Sequence, residues 1–164
     1  MNHIRTLING GLLASLLVLS ACDTNSTSIA SNSTETASKL STPASYTLEA
    51  QLSGDNEVPE IVGEGSGTFT ASIDQQTRAL KWTINYSGLS GPVTAAHFHG
   101  PAQADENTEA VVPITGNLTL SPIERTTTLT EAQMEELKAG KWYVNLHTEA
   151  NPKGEIRGQV SVQK

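Results

Sequence analysis

Residues 69–86, FTASIDQQTRALKWTINY, decide how the rest of the chain is read. Apolar residues fall at alternate positions in both halves: Phe69, Ala71 and Ile73, then Leu80, Trp82, Ile84 and Tyr86. A period of two belongs to a β-strand with one buried face, because successive side chains leave a strand on opposite sides. Between the halves, Asp74-Gln75-Gln76-Thr77 is a short polar connection, so the stretch is predicted to be an antiparallel hairpin.

Outward from this hairpin the pattern repeats. Tyr46, Leu48, Ala50 and Leu52 alternate with polar residues, and further strands are expected at Val93 to His99, Val111 to Leu120, Glu124 to Leu129, Lys141 to Thr148 and Glu155 to Val162. Turn residues separate them at Gly88 to Pro92, Gly100-Pro101 and Asn151 to Gly154. One helix interrupts the series: Thr130 caps it, Gln133 completes a capping box, Gly140 stops it, and Met134 and Leu137 form its buried stripe. The expected fold class is all-β, an antiparallel barrel or sandwich with one short helix.

The chain has 164 residues, enough for one domain with appendages. Arg5 followed by the apolar run Leu7 to Leu19 has the layout of a secretory signal and is short for a membrane span. That run ends in Leu19-Ser20-Ala21-Cys22, which resembles a bacterial lipobox whose cysteine is acylated after cleavage, palmitate being the expected kind of chain. Cys22 is the sole cysteine, so no internal disulfide competes for it. Residues 1–21 are therefore expected to be a signal peptide and 22–45, rich in Ser and Thr, a flexible tether; 46–164 form the folded domain. As a random coil the tether would span about 25 Å. Asp23 resembles an inner-membrane retention signal, and the expected location is the cell envelope, on the periplasmic face of the inner membrane or on the outer membrane. Without residues 1–21 the chain carries 9 basic and 17 acidic residues, a net charge of −8 that argues against nucleic-acid binding.

Three histidines remain beyond the signal peptide. In Val93 to His99, Phe98 belongs with Thr94 and Ala96, which sends His97 and His99 to the opposite face. In Lys141 to Thr148 the apolar series is Trp142, Val144 and Leu146, which leaves Tyr143, Asn145 and His147 on the other side. With the large apolar residues inward, all three imidazoles lie on the outer wall and converge if the two strands are neighbours. Neutral imidazole suits copper and zinc, at metal to nitrogen distances of about 2.0–2.1 Å. Glu155, Asn145 and Tyr143 are candidates for tuning such a site from outside the ligand set, with a solvated Glu155–Arg157 ion pair as the competing role for Glu155. Trp82 and Trp142 read as core.

The stretches AAHFHGPA, KWYVNLHT and NPKGEIRGQV resemble the motifs of the CHRD domain, the module named for chordin, over about Tyr46 to Val162. The resemblance implies an immunoglobulin-like β-barrel akin to copper-zinc superoxide dismutase, and no established general activity. HFHG is similar to the copper-ligand strand of those dismutases, and the match carries over to His97, His99 and His147. Beyond residue 21, a fourth, bridging histidine, a histidine-rich zinc loop between Gly100 and Val111, and a disulfide partner are missing. Three functions stay open. The first is an envelope lipoprotein, held in the lipid bilayer through acylated Cys22, that handles or sequesters copper, or alternatively zinc, through the three histidines. The second is a metal-free extracellular interaction module with a protein partner. The third, a copper-dependent redox enzyme, is disfavoured by the missing histidine. No nucleophile with its base and orienting group is recognisable, so an enzyme is not the expectation.

Overall fold

The computed structural model describes residues 44–163. The signal peptide at 1–21, Cys22 and nearly all of the tether lie outside the described residues. From Ser45 the chain forms β1 (Ser45–Ser53), a 3-10 turn (Gly54–Asn56), β2 (Ser66–Asp74), β3 (Ala79–Ser87), β4 (Val93–His99), β5 (Ala110–Pro113), β6 (Ile123–Thr128), α1 (Glu131–Lys138), β7 (Tyr143–Thr148), β8 (Ile156–Gln159) and β9 (Ser161–Val162).

The predicted hairpin is β2–β3, antiparallel, with Phe69 opposite Ile84 and Ala71 opposite Trp82. Its turn is held by Asp74, whose Oδ1 accepts from the Gln76 N–H at 2.9 Å and from the Thr77 N–H at 2.7 Å. The helix starts as its sequence predicts: Thr130 Oγ1 accepts from the Gln133 N–H, and Gln133 Oε1 accepts from the Thr130 N–H. Met134 and Leu137 are buried.

Antiparallel pairing joins the strands in the order β5-β4-β7-β8-β1-β2-β3-β6, with β9 added beside β1. This sheet is curled into a half-barrel. The curl is visible in the core, where Phe98 of β4 meets Phe69 of β2 and Trp82 of β3 edge-on, at ring separations of 5.6 and 5.2 Å. Strands so far apart along the sheet touch because it bends over its own apolar face. Trp142 packs at 6.1 Å from the same phenylalanine, and Val144, Leu146 and Ile156 complete that part of the core. Gly100 ends β4 where any larger residue would collide, since a Cβ there would lie 2.2 Å from the Trp142 ring.

Two strand expectations change. Val111 to Leu120 is strand only as far as Pro113. Beyond it Ile114 donates its N–H to Ala96 O, and Asn117 Oδ1 accepts from Thr119, a side-chain turn that replaces a ladder. Glu155 to Val162 is split into β8 and β9, because Val160 donates to Trp142 O and the chain then crosses to pair with β1.

The outer wall also departs from expectation. Every residue of β7 is buried, on both faces. Loop residues 103–109 and the segment around Glu57 supply the cover: Arg157 reaches Ala104 O, Glu106 O and Asn107 Oδ1, and Asn107 in turn donates to Val58 O. These loops are polar and aperiodic, so period-two patterning gives no sign of them.

Candidate metal centre

Strands β4 and β7 are antiparallel neighbours, with His97 opposite Asn145, His99 opposite Tyr143 and Ala95 opposite His147. That register makes His147 the diagonal neighbour of His97 on one face. The three imidazoles converge there, with ring centroids 5.0 Å apart for His97–His147, 5.7 Å for His97–His99 and 6.3 Å for His99–His147. One ring nitrogen from each lies within 4.8 Å of the others. The cluster expected from strand parity is therefore assembled, beneath a loop cover rather than on an open wall.

Hydrogen bonds identify the nitrogens left free for an ion. His99 Nδ1 is 2.8 Å from Thr108 O, and His147 Nδ1 is 3.2 Å from Pro152 O. A carbonyl only accepts, so both Nδ1 atoms carry the proton and both Nε2 atoms keep their lone pairs. His99 Nε2 is buried with no hydrogen-bond partner. His147 Nε2 sits 3.1 Å from His97 Nδ1, so without an ion His97 Nδ1 donates to it, and His97 can ligate through that nitrogen once its proton has moved to Nε2. A tetrahedral ion at about 2.05 Å from each nitrogen needs neighbouring nitrogens about 3.3 Å apart. The His97–His147 pair is already near that spacing, while the full set spans up to 4.8 Å and must draw together around an ion.

Burial lowers the pKa of all three imidazoles below the usual histidine value, with each other's charge adding to the effect at His99 and His147. Near neutral pH they are uncharged, which is the form that ligates metal. Carbonyl acceptors behind two of the rings fix tautomer and orientation, the usual outer support of a histidine ligand.

The other expected residues take distinct places. Tyr143 stacks on His99 at 4.7 Å with the planes within 3° of parallel, and Arg157 lies 4.1 Å over the Tyr143 ring. Asn145 donates at 3.5 Å to Glu57 Oε2. Glu155 accepts from the Ser90 N–H and hydroxyl and from Thr148, next to His147 in sequence. The expected Glu155–Arg157 ion pair gives way to two separate hydrogen-bond networks, and at 5 and 1 % exposure neither residue is a solvated surface charge. Sequence reasoning missed Thr108, Pro152 and Glu57. The first two act through backbone carbonyls that no side-chain pattern reveals, and Glu57 lies in an aperiodic loop.

The family model of the CHRD domain matches residues 48–160, which takes in every strand that supplies the site. No curated protein matches the chain, and no solved structure does.

Proposed function

The chain belongs to the CHRD-domain family, and from that footing we propose that it is an envelope lipoprotein whose domain binds a single copper ion through His97 Nδ1, His99 Nε2 and His147 Nε2. The observation that carries this reading is the buried, unpartnered Nε2 of His99 facing two further imidazoles. An unsatisfied buried nitrogen costs free energy, and an ion at the cup removes that cost. Copper is favoured over zinc because imidazole sites follow the Irving–Williams order. Three nitrogens leave positions open for water or a donor from another molecule, which suits handling or sequestration of the ion. The lipobox-like Leu19-Ser20-Ala21-Cys22 and the acidic surface support an acylated protein tethered above the bilayer.

Copper loading of the purified full-length protein, removal of free metal, then metal analysis and EPR tests the proposal. The expected result is one Cu(II) per chain with nitrogen hyperfine structure, lost when His97, His99 and His147 are all replaced by Ala. Stoichiometric copper in that triple variant would overturn it. Tighter retention of zinc than of copper in direct competition would reassign the ion.

A further inference from the structure

The three imidazoles of the cup are not held alike. His99 donates its Nδ1–H to Thr108 O at 2.8 Å and His147 to Pro152 O at 3.2 Å, so a backbone carbonyl stands behind each ring. Thr108 is itself tied down, since the Tyr143 hydroxyl accepts its N–H at 3.3 Å, and the Tyr143 ring stacks on His99. His97 has no such backing. Its one side-chain hydrogen bond among the described residues runs from Nδ1 to His147 Nε2, inside the cup. Its Nε2 has no partner there and, unlike His99 Nε2, is not buried, so it meets solvent.

These bonds fix the tautomers. His99 and His147 keep the proton on Nδ1 and offer Nε2, which is the form in which they would ligate. His97 carries its proton on Nδ1 too, but that is the nitrogen it turns toward His147, so it cannot ligate there until the proton has left. Resting on the metal reading above, we propose that His97 is the exchange ligand of the centre: its proton moves from Nδ1 to Nε2 as it closes on an ion and returns as it lets go, while His99 and His147 hold one tautomer throughout. Nδ1 gives a proton to water and Nε2 takes one from water, so the ring is neutral before and after and no other group changes charge. Contact of Nε2 with solvent provides the route. Support behind a ligating ring is worth about 10–100-fold in metal affinity, so the unsupported His97 is also the weakest of the three and the first to yield.

Imidazole nitrogen NMR of the full-length protein tests it, first metal-free and then with zinc as a diamagnetic probe. The expected result is Nδ1–H on all three rings without metal and, on loading, a change to Nε2–H at His97 alone. In a second arm, His97→Ala should keep zinc about tenfold more tightly than His99→Ala or His147→Ala, yet surrender it to EDTA faster than wild type does. Because the tautomers are read in the wild-type chain, that arm does not depend on the stability of any variant. A loaded His97 that keeps Nδ1–H, a tautomer change at either of the other rings, or zinc affinity in His97→Ala no higher than in the other two variants would overturn the proposal with the metal reading intact. Failure of the wild-type chain to bind either zinc or copper would overturn the metal reading and this proposal with it.

Discussion

In strand β7, Val144 and Leu146 face the core with no exposed surface, while Tyr143, Asn145 and His147 face the other way and are 2, 3 and 7 % exposed. The two faces are buried to nearly the same extent by different means. On the core side, Val144 and Leu146 belong to one apolar cluster with residues of β1, β2, β3, β4 and β8, and close packing does the work. On the outer side, loops cover polar groups through directed hydrogen bonds, and several acceptors remain without donors. A dry face can be satisfied by shape alone, but a polar one must match each atom to a partner. The proposed metal centre builds on one such unmatched atom, His99 Nε2.

The most forceful way to break this contrast is Phe98→Ala. The ring meets Phe69, Trp82 and Trp142, and its loss should cost about 3–5 kcal/mol in denaturant unfolding, as a cavity opens. A loss below about 1 kcal/mol would show that the curled sheet is not held together at this point. Arg157→Met probes the outer face, where the guanidinium holds three loop acceptors. It should cost about 2–3 kcal/mol and expose residues 103–109 to limited proteolysis, with β7 still folded. An equally protected loop would place the cover's anchor elsewhere.

A smaller effect distinguishes the faces by pH. The folded Glu57 carboxyl titrates at about 7 against a reference of 4.5, so its contribution to stability is full below 4.5 and fades as pH rises through about 7. The histidines run the other way: their lowered values mean that stability is full above 6.5 and falls as the solution is acidified. Subtracting Glu57→Gln from wild type cancels the histidine slope. The difference in unfolding free energy should decline steadily from pH 4.5 to about 7. A flat difference would mean that Glu57 is hydrated rather than covered.

Much of this was legible in the chain itself, and the reasons differ by element. The Phe69–Tyr86 hairpin and the Thr130 capping box are local, so spacing alone specifies them. Strand parity also gave the common face of His97, His99 and His147, since it depends only on alternation. Adjacency of β4 and β7 was a condition that parity could not meet, because the pairing spans some fifty residues and is chosen by the global curl. The roof over that face left no periodic trace, which is why the Glu155–Arg157 pair was expected in solvent. Pro113 and the Asn117 turn cut short the strand expected to run to Leu120, although its apolar residues continue at Ile114 and Leu118.

Strand β5 ends the sheet, and its brevity has a protective side. Ile114 points its N–H inward to Ala96, so Pro113 occupies the next, outward-facing slot, where any other residue would offer a donor to a passing chain. A rim four residues long that closes on an imino acid is a poor template for cross-molecular zippering. Copies of this domain crowded side by side would thus resist stacking into fibrils through that margin.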